Sequence, residues 1–188
     1  MRSKAFRSRL VLAGLLLLGS LAACATAEAW EQWGPFRGQF VDAETAQPIP
    51  GAVVLVVWWK EVGLFQSHRQ FYDAREAASD AEGRFEVPRL APPFFTFGIQ
   101  RRQMLFFAPG YKYDSLSVTP PGGVEFVDPT VLKMRRIQTR EELLKRSRGY
   151  PSQIPEERMR EFLNALNTEY RMLGLEPIPL EQTPRRRP

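Results

Sequence analysis

One segment in the first half of the chain limits the possible folds more than any other. Residues 52–59 are apolar at every position and include four Val, one Leu and two Trp. An unbroken apolar run of this length, rich in β-branched residues, is typical of a strand that is covered on both faces. The fold must therefore supply two apolar surfaces, one for each side of this strand.

The surrounding sequence predicts a mainly β fold. The Asp80-Ala81-Glu82-Gly83 segment is a turn signal, and in the strand predicted after it Phe85 and Val87 share a face. Strands joined by short turns, without helices between them, favour an antiparallel β-sandwich of about seven strands over residues 35–134. The strands are expected at 36–41, 52–59, up to residue 79, 84–87, within 94–107 and within 124–134, with a turn at 109–111.

The chain changes its periodicity after residue 134, which predicts a helical extension over 135–174. Thr139 and Glu142 have the spacing of a capping box, in which the hydroxyl and the carboxylate satisfy amides at the start of a helix. Gly149 and Pro151 then supply the stop. A first short helix is therefore expected between these two signals.

A second helix is expected from Pro155 to Gly174. Its apolar residues recur at helical spacing: Met159, Phe162, Leu163, Leu166, Tyr170 and Leu173. Because an isolated helix of this length is marginal in water, we expect it to cover one face of the 52–59 strand. The alternative is an amphipathic helix that docks on a different protein. Residues 175–188, rich in Pro and Arg, are expected to form an extended, mobile tail.

The first residues predict export and a lipid anchor. Four basic residues precede the apolar stretch 10–18, which is too short to span a bilayer comfortably, as in a secretory signal. The signal ends in Leu21-Ala22-Ala23-Cys24, which resembles the lipobox of bacterial lipoproteins, and Cys24 is the only cysteine of the chain. We therefore expect a signal peptide at 1–23, diacylglyceryl attachment (and so palmitate) at Cys24, and a tether at 24–34. Ordinary cleavage after the Ala25-Thr26-Ala27 pattern is the alternative.

Lipidation would hold the protein at a membrane of the cell envelope, because several acyl chains anchor far more firmly than one. In lipoproteins that are sorted between membranes, Ala25 in place of Asp favours the outer membrane, here with the protein facing the periplasm. Removal of residues 1–23 takes away four basic residues and no acidic ones. The mature protein would then keep 22 basic against 21 acidic residues, so much of the positive charge of the full chain belongs to the signal. Export places the protein away from nucleic acid, so we expect no nucleic-acid partner.

Four separated pieces of sequence resemble the carboxypeptidase regulatory-like domains. The pieces are Phe36-x-Gly38-x-Phe40-x-Asp42 with Thr45, Pro48-Ile49-x-Gly51-Ala52, Asp80-x-x-Gly83-x-Phe85-x-Val87, and Pro109-Gly110-Tyr111. The resemblance covers about residues 35–133 and implies a small transthyretin-like (prealbumin-like) sandwich with a non-catalytic accessory role. Two features depart from the family pattern: Ala46 stands where Gly is usual, and residues 60–78 are a long insertion.

The composition argues against catalysis and against resident metals. One Cys excludes an internal disulfide framework and a cysteine-rich zinc site, and one His excludes centres that need several imidazoles. Ser67 and His68, with Asp73 or Glu76, could be imagined as a catalytic unit, but no nucleophile elbow accompanies them, and His68 is better explained as a histidine of a surface loop. Asp80 and Glu82 are better explained by turn chemistry than by calcium. We expect no cofactor and no enzyme activity.

Two functions are compatible with these features. The first is a non-catalytic, membrane-anchored envelope lipoprotein that acts as an interaction or scaffolding module for another envelope protein. The alternative is a module that binds a carbohydrate or a small apolar ligand through exposed aromatics, with Trp58, Trp59 and Tyr72 as the candidate residues. Aromatic residues on strands are more often part of the core, so the exposure of these three rings discriminates between the two functions.

Overall fold

The computed structural model describes residues 33–63, 68–91, 99–112, 129–146 and 151–180, with the backbone alone at 99–102. The chain divides between Gly34 and Pro35, and the fold below belongs to the unit that begins at Pro35. The predicted signal peptide, Cys24 and nearly all of the tether lie outside the described residues.

The described part of the chain contains seven strands and two α-helices, so the predicted mainly β fold class is confirmed. The strands are β1 (Phe36–Asp42), β2 (Val53–Val62), β3 (His68–Ala78), β4 (Arg84–Val87), β5 (Ile99–Phe107), β6 (Tyr111–Lys112) and β7 (Thr130–Arg136). The helices are α1 (Arg140–Arg146), a 3-10 turn (Glu156–Arg158) and α2 (Arg160–Leu173).

The strands form two sheets, ordered β4-β1-β7-β6 and β3-β2-β5. Every pair is antiparallel except β1 and β7, which run parallel with Gly38 opposite Thr130. A hairpin forces neighbouring strands to be antiparallel, whereas β1 and β7 lie far apart in sequence and no short turn sets their direction. The local turn signals therefore could not predict the parallel pair.

Aromatic side chains join the two sheets. The ring centroids of Phe36 on β1 and Trp58 on β2 are 6.3 Å apart, and those of Phe40 and Phe106 are 6.2 Å apart at an edge-to-face angle. Phe85 on β4 lies 5.1 Å from Phe40 and extends the same layer. Such pairs add to the stability gained from burying the rings.

Both faces of β2 are covered, as its unbroken apolar run requires. Trp58 contacts the four-stranded sheet, whereas the residues that alternate with it, among them Leu55 and Trp59, belong to a cluster with α2. The α2 residues of this cluster include Phe162, Leu163 and Leu166, all buried. The helix therefore lies on the outer face of the three-stranded sheet and completes a second hydrophobic layer.

Residues 60–78 belong to a long β2–β3 hairpin. Val62 pairs with His68 at its far end, and Val53 pairs with Ala78 at its near end. The register shifts between Trp58 and Trp59, so Tyr72 is the extra residue of a β-bulge in β3. The predicted strand ending near residue 79 is therefore much longer than the turn signals alone indicated.

The helix starts agree only in part with the sequence signals. Thr139 caps α1, since its hydroxyl oxygen accepts the Glu142 amide at 3.2 Å. The prediction that a helix begins at Pro155 is wrong, because Pro155 precedes only the 3-10 turn and α2 begins at Arg160. Met159 has φ −140° and is fully buried, so the chain turns there to place its side chain in the core. Gly174 ends α2 with φ +69°, as predicted.

The first part of the predicted tail is docked on α2. The Asn167 side chain accepts the Ile178 amide at 2.7 Å and donates to the Ile178 carbonyl at 3.0 Å. Ile178 and Leu180 also pack against the cluster beneath α2. Residues 175–180 are thus extended but held in place, and residues 181–188 lie outside the described part of the chain.

Candidate functional site

A groove of about 920 Å³ lies between the loop that follows β1 (residues 43–51, the 43–51 loop), the start of β6 and the exposed side of α2. Polar groups from three strands meet in this groove, because Asp42 ends β1, Tyr111 begins β6 and Arg136 ends β7. The residues on which its chemistry depends are Asp42, Tyr111, Arg136, Glu161, Asn164 and Thr168.

Asp42, at the end of β1, organises the loop wall of the groove. It is 6% exposed, and its Oδ1 accepts the backbone amides of Glu44 at 2.9 Å and Thr45 at 3.1 Å. These two hydrogen bonds hold the pKa of Asp42 below its ordinary value of 3.8. The carboxylate is therefore ionised at neutral pH and serves as the acceptor around which the loop folds.

Tyr111 and Arg136 complete the end of the groove beside Asp42. The Arg136 Nη2 atom donates to the Tyr111 hydroxyl oxygen at 2.8 Å, and the guanidinium carbon lies 5.2 Å from the centre of the tyrosine ring. A hydrogen bond from the Tyr111 hydroxyl and the charge of Arg136 lower the pKa of Asp42 further. The three side chains form one connected polar cluster in which the neutral tyrosine links an anion to a cation.

The loop wall is fixed on its other side by Ser79. The Ser79 hydroxyl donates to the Ile49 carbonyl at 2.7 Å and accepts the Ala52 amide at 2.9 Å. Within the loop, Ala46 has φ +57° and is the one non-glycine residue of the described chain in the left-handed region. Glycine would adopt this conformation without strain, whereas the Cβ atom of alanine disfavours it.

The opposite wall is one face of α2. Glu161, Asn164 and Thr168 are exposed and share this face at helical spacing. The helix is fixed from β3, because the two carboxylate oxygens of Glu76 accept the amides of Glu161 at 2.9 Å and Phe162 at 3.0 Å. Burial raises the pKa of Glu76, and the amide hydrogen bonds oppose this shift. A carboxylate from a neighbouring strand thus caps the helix where no residue of its own does.

The lining of the groove is net negative. Three carboxylates, Asp42, Glu44 and Glu161, face a single cationic side chain, Arg136. Arg136 is exposed and donates to the Tyr111 hydroxyl, and its single positive charge leaves the lining at a net charge of −2. A ligand for this groove is best matched when it brings positive charge and hydrogen-bond donors.

The structure does not bring the predicted aromatic residues together on the surface. Trp58 and Trp59 are 1% and 7% exposed and point to opposite faces of β2, because neighbouring strand residues alternate. Trp59 packs edge-to-face on Phe71 with ring centres 6.1 Å apart, and its Nε1 donates to Gln103 at 3.3 Å. Tyr72 is partly exposed on the bulge of β3. The predicted stacking surface of Trp58, Trp59 and Tyr72 is therefore not formed.

The residues considered for catalysis are separated and engaged elsewhere. His68 is exposed at the first position of β3, in a strand rather than the predicted loop, and Asp73 lies five residues along, about 16 Å away for an extended chain. Asp73 pairs with Arg75 and Arg158, both at 3.2 Å, and Glu76 caps α2. Ser67 lies outside the described residues.

Asp80 acts as a turn residue. Its Oδ1 accepts the amides of Glu82 at 3.0 Å and Arg84 at 2.7 Å, and the hydrogen bond from the Arg84 amide is the main reason that its pKa is lowered. Within the described ranges, no group of three or more His, Cys, Asp or Glu side chains has a geometry that could hold a metal ion. None of the helices described is both long enough and apolar enough to cross a bilayer.

Sequence reasoning missed most of the groove, although part of the signal was present. Asp42 and Tyr111 belong to the motif pieces that carry the family resemblance, and Ala46 is the departure from that pattern. Glu161, Asn164 and Thr168 look in sequence like an ordinary solvated helix face. Only the docking of α2 beside the 43–51 loop turns this face into a wall.

Comparison with known proteins adds little. No family model and no curated protein matches the chain. Among solved structures, a 9R-lipoxygenase from Cyanothece PCC8801 matches 65% of this chain at 20% identity, with a TM-score of 0.28. The chain spans 22% of the length of that protein, and a similarity this low supports no inference about activity.

Proposed function

We propose that this chain is a non-catalytic, lipid-anchored module of the bacterial cell envelope that binds a partner protein through the groove between the 43–51 loop and α2. The observation that carries the binding part of the proposal is the prearranged, net-negative lining of that groove. A surface whose loop, strands and helix are all fixed before binding loses little conformational freedom when a partner docks.

The charge of the groove defines the partner. The exposed carboxylates Glu44 and Glu161 favour a segment that carries Lys or Arg, whereas Asp42 is buried and holds the loop in shape. Asn164 and Thr168 offer hydrogen bonds along the helix wall. We therefore propose an extended, basic protein segment as the partner. Burial of Trp58 and Trp59 speaks against the alternative of a carbohydrate stacked on exposed rings.

The location rests on the sequence. The lipobox that ends at Cys24 supports attachment to a membrane, and Ala25 favours the outer membrane with the protein facing the periplasm. The motif pieces around Gly38 and Gly83 support a carboxypeptidase regulatory-like sandwich, and the two-sheet fold is compatible with it. Membership of that family is part of the proposal.

Mass spectrometry of the membrane-extracted protein tests the anchor. We expect the N-terminal peptide to begin at Cys24 and to carry a diacylglyceryl group. A peptide that begins beyond residue 27, or an unmodified thiol, would contradict the anchor and leave the groove proposal to be tested separately.

Site-specific photocrosslinking in intact membranes tests the groove. A photoreactive amino acid at Asn164 faces the groove, whereas one at Met172, 61% exposed on the same helix, lies outside its lining. We expect a discrete adduct from position 164 and none of the same mass from position 172. Equal adducts from both positions, or none from either, would refute this use of the groove.

A further inference from the structure

A second, apolar recess lies where β5, α1 and α2 meet. It has a volume of about 560 Å³, within the range of small-molecule sites. Its apolar lining includes Leu105, Phe107, Ile137, Pro151, Phe162 and Leu166. This recess, called the apolar cleft below, uses the buried side of α2 and shares no lining residue with the groove.

The back of the apolar cleft is a fixed cation. Arg146 pairs with Glu169, which is fully buried, and donates to the Ala108 carbonyl at 3.3 Å. Its guanidinium carbon lies 4.6 Å from the centre of the Phe107 ring. Burial lowers the pKa of Arg146 to about 10, so the group remains charged at neutral pH. The Gly110 amide also donates to Glu169, at 2.9 Å. Glu169 on α2 therefore contacts both Arg146 of α1 and the 108–110 turn.

The rim of the apolar cleft carries two lysines and one glutamate, Glu142, so it is net positive, and the ion pairs of the lysines are weak. Lys112 and Lys145 are 52% and 72% exposed and pair with Glu142 at 3.4 Å and Glu141 at 3.0 Å. Exposed pairs of this kind contribute little to stability and exchange readily. Both ammonium groups can therefore turn to an anionic group placed at the mouth of the cleft.

We infer that the apolar cleft binds an amphiphile with one acyl chain and an anionic head group, with the chain against Phe107, Phe162 and Leu166 and the head group at Lys112 and Lys145. An apolar floor beneath a cationic rim is complementary to this class of molecule and to neither a sugar nor a cation. A fatty-acid carboxylate and a lysophospholipid phosphate offer the same chemistry. The inference is independent of the groove proposal, because the two sites share no lining residue.

Photoaffinity labelling of the full chain in its membranes tests the inference. The probes are three diazirine-bearing acyl molecules: a free fatty acid, a lysophosphatidylglycerol and the matched uncharged fatty alcohol. We expect labelling to concentrate on peptides that contain Phe107 or Leu166 and to be stronger for at least one anionic probe than for the alcohol. The preferred anionic probe identifies the source of the ligand.

Two variants separate binding from folding. The double variant Lys112→Gln/Lys145→Gln keeps the apolar lining and should weaken labelling by the anionic probes about tenfold, with no change for the alcohol. Lys133→Gln, an exposed lysine on β7 outside the cleft, should leave labelling unchanged. Labelling spread evenly over the surface, equal labelling by the alcohol, or an unaltered signal in the double variant would each overturn the inference.

Discussion

Replacing Leu163 by Ala tests most strongly whether α2 is part of the same cooperative core as the sheets. Leu163 is fully buried in the cluster that joins α2 to β2. If the helix covers β2 in solution, truncation removes apolar contacts and leaves a cavity that the surrounding strands cannot fill. We expect the variant to fold, with a large loss of stability.

The magnitude follows from the burial. Leu163→Ala deletes three carbon atoms, which are worth about 2.4 kcal/mol in transfer free energy at about 0.8 kcal/mol each. Because a well-packed site collapses only partly, a cavity term adds to this, and we expect about 3 kcal/mol in total. The matched control is Met172→Ala on the exposed side of the same helix, which should change the stability by less than about 0.5 kcal/mol.

Urea denaturation of the chain without residues 1–23, monitored by circular dichroism and by tryptophan fluorescence, measures the free energy of unfolding of each variant. Trp58 and Trp59 report on the sheets and ellipticity reports on the helices, so coincident transitions would indicate a single cooperative unit. A loss below about 1 kcal/mol, or a helical transition that precedes the fluorescence transition, would refute the reasoning that α2 completes the core.

Three further predictions concern the groove. Ala46→Gly should raise the free energy of unfolding by about 0.5 kcal/mol, because relief of the left-handed backbone at φ +57° outweighs the greater freedom of glycine in the unfolded chain. A lower melting temperature in the variant would contradict this reasoning. Glu76→Ala should lower the free energy of unfolding by about 1 kcal/mol in urea denaturation, because two amides at the start of α2 lose their acceptor. An unchanged free energy would show that water replaces the carboxylate. Asp42 has a lowered pKa, so its contribution to the free energy of unfolding is complete above pH 3.8 and is lost as the pH falls through its folded-state pKa. Asp42→Asn should therefore lose less stability than the parent below pH 4, as measured by urea titrations. Parallel curves of stability against pH for the two proteins would contradict this.

Local signals in the sequence carried much of the fold. The run at 52–59 predicted a strand covered on both faces, and the structure places it between the other sheet and α2. Thr139 and Gly174 predicted a helix start and a helix end through backbone chemistry that operates within one turn. These features depend on near neighbours, which is why a single sequence reveals them.

The remaining features depend on contacts between distant segments. Glu76 sits on β3 but caps α2, and nothing within either segment indicates this pairing. The parallel β1–β7 pair likewise arises from tertiary packing. The second helix begins at Arg160 and not at Pro155, because Met159 turns into the core. The alternation of strand side chains places Trp58 and Trp59 on opposite faces, and burial on both sides removes them as a ligand surface.

The yield of the crosslinked adduct from position 164, measured in the charge-reversal variant Glu161→Lys, decides whether the groove binds a basic protein segment. Glu161 lines the groove, and Glu157→Lys is the matched control because Glu157 is exposed nearby but lies outside the lining. If the groove binds a basic segment, Glu161→Lys reduces the adduct several-fold and Glu157→Lys leaves it intact. An equal yield in the two variants would contradict the account.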